Sequence, residues 1–533
     1  MRRNKEDCTR TPRTLLFLAF FLVSNSCVPR TMDQVDGPAP RVSALVESAR
    51  DLGERRPAAE VSAIVVLRGK DGEPVLAFMR ESGLRAEWRP GDTWVTIWGR
   101  TDRAESVFRV KVHDYVRGSK RFYSSQGMPQ IPDLLVAFVG GISRITDYPD
   151  LSGHSWRPAV PPGGLRPIDL KKAYDMQSLV EAGASGRGET IVFFELPGNY
   201  RQSDYDTFTA KFNLPPLHTD DHGVKQPAPF DASEVTMDFE LVHEIAPDAR
   251  LKAYFVDPAI QTLKGELPLM RQLVEENPGA IVVLEAEACE AFYDQAQATA
   301  FESLWQRAAQ LGETVLVPSG DVGGYECLEV NNNATPSDQY VGVSLFTSPP
   351  SVTSVGGTRL SVRADGNYYQ EQVWEEPAGI GGGGGGLSTF YPRPSYQTGP
   401  APGDQSNPPM RRVPDVSADA DPATGAAVYI TQCGGWCQGG GTSQSGPIWA
   451  GMMALINQYL REHNSRAPGF LNPVLYRLAA GHPRYPPFHD ITVGTNLVYA
   501  AAPGYDMATG LGTPDAWNLA RDIAELQPTS GTG

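Results

Sequence analysis

Short β-rich runs alternate with helix-like stretches over the middle of this chain, and that rhythm constrains its fold more than any other feature. The runs lie at 190–194, 251–255, 280–284 and 314–317. Between and around them, residues 170–182, 234–245, 262–275 and 295–309 carry apolar side chains at helical spacing. Strands that alternate with helices pair in parallel, because each crossover returns the chain to the same end of the sheet. The expected architecture is α/β, a parallel sheet with helices on both faces. Sheets of this kind place their chemistry at the carboxyl ends of the strands.

Upstream the pattern is mixed. Residues 42–52, 103–112 and 132–142 read as helices, and 64–67 and 94–98 as strands, enough for a small α+β domain. Residues 150–167 hold four prolines and several glycines, so they read as an exposed connection open to cleavage. With 533 residues the chain has room for two or three domains. Arg2, Arg3, Lys5, Arg10 and Arg13 precede an apolar run at 15–23 that is too short for a permanent membrane helix. That is the plan of a secretory signal peptide, so a secreted protein is expected. A lipid anchor on Cys27 is the minor alternative, since Ser24-Asn25-Ser26 fits the usual preceding pattern poorly. The resulting expectation is a signal peptide at 1–30, an activation domain at 42–150, a cleavable linker at 151–167 and a catalytic domain at 168–528.

A net charge of −16 argues against nucleic acid as a partner and makes the molecule's behaviour sensitive to pH. Cys289, Cys327, Cys433 and Cys437 lie beyond the signal and allow two disulfides, whose pairing the sequence leaves open; Cys433 and Cys437 could close a small loop. No second Cys or His cluster completes a zinc site, so structural zinc is not expected.

Gly440-Gly441-Thr442-Ser443-Gln444-Ser445-Gly446-Pro447 is the sharpest local signal. Apolar residues at helical spacing follow it, so Ser443 sits just before a helix N-terminus, where amide donors favour developing negative charge; an N-cap serine in a turn is the ordinary alternative. Asp321 follows an apolar strand in a Gly-rich turn, a position that lines a cleft; a turn-forming Asp is the ordinary alternative. Glu234 and Asp238 are four apart on a helix and share one face, where two carboxyls repel and one holds its proton longer. His222 and His243 are the histidines that a conventional serine triad would need, and neither has a persuasive setting. The run from Gly381 to Gly386 reads as a loop too flexible for packed core, or as backbone lying close to a substrate.

Taken in order, these segments resemble the sedolisin family of serine-carboxyl peptidases. Gly441-Thr442-Ser443-Gln444-Ser445, Ser319-Gly320-Asp321 and Glu234-Val235-Thr236-Met237-Asp238 look like its nucleophile, oxyanion and acid segments. Val355-Gly356-Gly357-Thr358, Phe390-Tyr391-Pro392-Arg393-Pro394-Ser395 and Val413-Pro414-Asp415-Val416-Ser417-Ala418 resemble its structural signatures. The resemblance implies a subtilisin-like α/β fold preceded by a ferredoxin-like propeptide that inhibits and assists folding. It also implies an acid-acting endopeptidase, with Ser443 as nucleophile, Glu234 as base, Asp238 orienting Glu234, and Asp321 a protonated oxyanion donor. Glu195 resembles a further acid of the network in some members. A calcium ion is implied at Asp490, Ile491, Ala502, Gly504 and Asp506, with Ala502 standing where glycine is usual. Peptides or proteins are the implied substrates, and a monomer is the expected state.

One segment departs from the family. Glu285-Ala286-Glu287-Ala288 occupies a stretch that should be small and glycine-containing and should pair with substrate backbone. Two acids there would narrow the cleft, favour basic peptides or block cleavage. A peptide-binding protein without activity is therefore the alternative from another class, and a tripeptidyl-peptidase the alternative within the family.

Overall fold

The structure is a computed structural model that describes residues 46, 49–117, 120–147, 164–228, 230–257, 263–327, 341–376, 381–481 and 483–526. The expected signal peptide, and most of the expected linker, lie outside these residues.

The central sheet has eight strands. In spatial order they are Tyr368–Val373, Thr353–Val362, Thr314–Pro318, Ile281–Leu284, Thr190–Glu195, Arg250–Phe255 and Thr219–Gly223, with Val416–Asp419 paired beside Thr353–Val362. Every pairing is parallel except that of the edge strand Tyr368–Val373. Strand parity divides the core. Ile191, Phe193, Ile281, Val283 and Leu316 enter one apolar cluster, and Val192, Phe194, Val282, Leu284, Val315 and Val317 the other. Both faces are buried, so the runs read as continuously apolar.

The first face is covered by the helices Ser233–Ile245 and Thr442–Glu462, which pack on one another. Their approach depends on Gly451, where a β-carbon would stand 2.8 Å from Ile245 Cβ. The second face is covered by the helices Leu263–Glu276 and Gln295–Gln310.

The N-terminal unit carries a four-stranded antiparallel sheet in the order Arg85–Glu87, Trp94–Arg100, Glu60–Leu67, Val139–Ile142. It also has the helices Glu73–Glu81 and Thr101–Phe108, and a three-stranded sheet of Arg50–Glu54, Val112–Arg117 and Lys120–Ser125. Ile64 and Trp94 of this unit join the apolar cluster of the second face, beside Leu267, Met270 and Phe301. At the same junction the nearly buried Arg271 donates to Glu87 (2.6 Å) and Asp92 (2.8 Å).

Several sequence expectations change here. Residues 132–142 form a single 3₁₀ turn at Asp133–Leu135 and then the strand Val139–Ile142, because Gly140 and Gly141 weaken a helix and the neighbouring strand offers a partner. Residues 50–52, expected to end a helix, belong to the strand Arg50–Glu54; most of the rest of that helix lies outside the described residues. The helix expected over 103–112 stops at Phe108, where Arg109 takes φ 52°. The helix expected over 170–182 is broken by Asp175 at φ 51° into Pro167–Ala173 and Met176–Glu181.

Cys289 and Cys327 form a disulfide, whereas Cys433 and Cys437 are free thiols rather than a closed loop. The glycine run is not a loose loop. Residues 381–386 are buried, and a β-carbon on Gly384 would stand 2.0 Å from the Ser319 carbonyl oxygen. Among the described residues, no helix is long and apolar enough to cross a membrane.

Candidate active site

The strand Thr314–Pro318 ends in the turn that carries Asp321, and the helix Thr442–Glu462 begins beside it. Gly441 precedes that helix at φ +81°, and a β-carbon there would stand 2.6 Å from Asp321 Oδ2, so the close approach requires glycine. Asp321 Oδ1 accepts from Thr442 N (2.7 Å) and Thr442 Oγ1 (2.9 Å). Thr442 Oγ1 also receives the Gly320 amide at 3.1 Å. From the other side the glycine run straps the turn, with Gly382 N donating to the Asp321 carbonyl (3.0 Å) and Gly384 N to that of Gly320 (2.8 Å).

Ser443 occupies the first turn of its helix, wholly buried, and its Oγ has no hydrogen-bond partner. The next side chain, Gln444, locks the segment: Oε1 accepts from Ala426 N (2.9 Å) and Nε2 donates to Asp419 Oδ2 (3.0 Å).

Glu234 and Asp238 lie in the early turns of Ser233–Ile245, as their spacing predicts. A third carboxyl joins them: oxygens of Glu234, Asp238 and Glu285 all lie within 4.8 Å of one another. Glu285 is fully buried, and its Oε1 would stand 3.5 Å from a β-carbon on Gly446, three residues after Ser443. The acid group therefore abuts the nucleophile helix. Glu287 is only half-buried, so of the two acids expected to crowd the cleft, Glu285 turns inward instead. Parity was the available signal: Glu285 follows Ile281 and Val283 on the face that the acid helix covers, as Glu195 follows Ile191 and Phe193.

Burial pushes the Asp238 carboxyl well above the usual range, and the like charges of Glu285, Glu234 and Glu195 push the same way. Glu195 is raised well above its ordinary value, by burial first and then by Glu234 and Asp221. Neither residue has a hydrogen bond to its buried carboxyl oxygens. A carboxyl without donors, in low dielectric and beside other acids, keeps its proton.

The histidines are elsewhere. His243 Nε2 meets the Pro215 carbonyl (2.8 Å), and His222 stacks on Tyr254 with ring centroids 4.5 Å apart. Neither ring engages Ser443.

Two further buried acids bear on pH. Burial pushes Glu290 up to about 7, although Ser388 Oγ and Thr389 N donate to it. Burial pushes Asp419 up to about 8, ahead of the lowering bonds from Leu360 N and Thr424 Oγ1. Both hold protons in the folded state that the unfolded chain releases near pH 4. Their stabilising contribution is therefore complete below about pH 4 and is lost as pH rises through about 7 and 8, each at about 1 kcal/mol per pH unit. The expected result is a melting temperature that is highest in acid and falls from pH 5 to pH 8. A melting curve that strengthens over that interval would contradict it.

At the C-terminal end, Asp490 Oδ2 accepts from Gly504 N (3.0 Å) and Asp506 Oδ2 from Ala502 N (2.9 Å). Each carboxylate thus accepts an amide of the 502–504 loop, and carboxylate and carbonyl oxygens are the donors that suit a hard cation. Ala502 is not among the residues with positive φ, so the alanine there imposes no strain.

Residues 53–148 match the family described as Pro-kumamolisin, activation domain. Over 448 residues the chain is 29% identical to kumamolisin of Bacillus sp. (strain MN-32), an alignment covering 78% of this chain and 76% of that protein. Over 479 residues it is 28% identical to sedolisin of Pseudomonas sp. (strain 101), covering 85% and 78%. Among solved structures, Pseudomonas sedolisin, a serine-carboxyl proteinase complexed with two molecules of pseudo-iodotyrostatin, matches with a TM-score of 0.57 and 28% identity. That match covers 69% of this chain and 99% of the sedolisin chain.

Proposed function

Because this chain belongs to the sedolisin family of serine-carboxyl peptidases, serine-type hydrolases made with their own activation propeptide, we propose that it is a secreted endopeptidase precursor that processes itself and acts at acid pH. What carries this reading is the closure of the Glu234–Asp238–Glu285 carboxyls against the helix of Ser443, with Asp321 bonded to that helix's first residue.

In the proposed reaction Ser443 Oγ attacks the scissile carbonyl carbon while Glu234 takes the hydroxyl proton. Asp238, protonated, donates to Glu234 and orients it. The oxyanion accepts a hydrogen bond from the Asp321 carboxyl, which must be protonated to donate. Two donors already occupy Asp321 Oδ1, so the proton belongs on Oδ2, the oxygen facing Gly441. The carbon–nitrogen bond then breaks, Glu234 returns the proton to the leaving amine, and an ester to Ser443 remains. Water, deprotonated by Glu234, attacks this ester; the bond from the carbonyl carbon to Oγ breaks, Glu234 returns the proton to Oγ, and the acid leaves. The raised acids Asp238 and Glu195 support operation in acid.

Asp490 and Asp506, with the carbonyls of Ile491, Ala502 and Gly504, would hold one calcium ion, which would cross-link the C-terminal loops. The N-terminal unit, sharing an apolar cluster with the peptidase unit, would act as inhibitor until cleaved, and the enzyme would work as a monomer.

The test is to acidify the purified precursor and weigh its products. Cleavage between residues 150 and 167 is expected, and Ser443→Ala should leave the chain intact. A Ser443→Ala precursor that matures at the normal rate in isolation would refute the proposal. Internal cuts in a test protein are expected from an endopeptidase, whereas a ladder of tripeptides would correct the mode of action.

A further inference from the structure

The two acids that depart from the family's substrate strand do not share a fate. The strand Ile281–Leu284 alternates, so Glu285 falls on the face covered by the acid helix and the nucleophile helix. It is fully buried and stands within 4.8 Å of both Glu234 and Asp238. Its backbone N–H is held by the Phe194 carbonyl (3.0 Å), which fixes the strand end relative to neighbouring Glu195.

We propose that Glu285 is a positioning residue of the reaction: its carboxyl, set beside Glu234 and Asp238, governs how strongly Glu234 takes the Ser443 proton. The inference rests on the serine-carboxyl reading above and deepens it.

The groups around Glu285 are nearly all acids. Glu234 and Asp238 face it from the acid helix. Glu195, on the adjacent strand, acts on Asp238, and Asp221 acts on Glu195 in turn. The nucleophile helix presents Gly446 and the neutral Ser443, and Asp321 stands at that helix's start. The half-buried Glu287 follows on Glu285's own segment.

Three carboxyls this close do not all ionise. A protonated Asp238 has one hydrogen to donate and two carboxyls within 4.8 Å, those of Glu234 and Glu285. Glu285 presses on Asp238 as a like charge, and whenever it is ionised it makes Glu234 the stronger base, at the cost of requiring a higher pH before Glu234 is free to act.

The test is the pH profile of kcat/KM for the full chain after acid activation. Glu285→Gln is expected to move the acid limb down by about one pH unit, because one like charge has gone. Its plateau kcat should fall a few-fold, because Glu234 has become the weaker base. Glu285→Asp keeps the charge but draws it back by one methylene, and is expected to fall between the wild type and Glu285→Gln. The preference between Lys- or Arg-containing peptides and neutral ones should not change.

An unmoved acid limb in Glu285→Gln overturns the proposal. So does a changed peptide preference with the limb unmoved, which would return Glu285 to the substrate strand. Where Glu285→Gln fails to fold, a Glu285→Asp limb identical to the wild type is equally decisive. The profiles are read against Ser443→Ala. If that variant still cleaves, the serine-carboxyl reading itself fails; if it is inert and the limb stays put, only the role of Glu285 falls.

Discussion

Glu234→Gln is expected to lower kcat by about 10⁴-fold, with a much smaller change in KM. The amide fills the same volume on the Ser233–Ile245 helix, so the fold should persist, but it cannot accept the serine proton. Removing that charge also relieves Asp238, one of whose raising influences is Glu234, so Asp238 should titrate at lower pH in the variant. Asp238 cannot substitute as base while it stays protonated. Single-turnover cleavage of a peptide at acid pH is the measurement. A variant retaining a tenth of the wild-type rate would show that the proton goes elsewhere.

The second large effect is at Asp321. Asp321→Ala removes a hydrogen-bond donor aimed at the oxyanion and should lower kcat by about 10²- to 10³-fold. It also deprives Thr442 N and Oγ1 of their acceptor, which makes Asp321→Asn the more informative change. The asparagine carbonyl can take over the role of Oδ1, and its NH₂ then stands where the acid's hydroxyl stood. An amide donates at any pH. Asp321→Asn should therefore keep more activity than Asp321→Ala and lose the alkaline fall that follows ionisation of Asp321 in the parent. Profiles of kcat from pH 3 to pH 8 for the three proteins decide it: an alkaline limb that survives in Asp321→Asn assigns that limb to another group.

Much of the scaffold was legible because it is written in apolar period. The runs at 190–194, 251–255, 280–284 and 314–317 became strands within a residue or two, since each is buried on both faces and nothing else suits such a run. The region 132–142 was misread because its apolar residues also fit a helix, and only the partner strand Glu60–Leu67 resolves the choice. The glycine run was misread for a deeper reason. Composition marks glycine as flexible, whereas here the missing β-carbons let three stretches of backbone come together, a property of the folded state alone. Ser443, Asp321, Glu234 and Asp238 stood out by local setting and order. Glu285 did not, because its place at the end of a strand matches a cleft-lining position, and only the strand's parity turns it inward.

Contacts join points far apart along the chain: at the site Asp321 meets Thr442 across 121 residues, and between the two units Arg144 meets Asp294 across 150. Joining such distant points surrenders loop entropy before any bond repays it, so a chain with these contacts folds slowly when left to itself. The N-terminal unit changes that arithmetic. It emerges first and its antiparallel sheets pair strands drawn only from its own residues, so it can form early and present Ile64 and Trp94 to the helices Leu263–Glu276 and Gln295–Gln310 as they arrive. A peptidase unit that has lost this template should, once denatured, return to activity only over long times, and faster when the detached unit is supplied in solution.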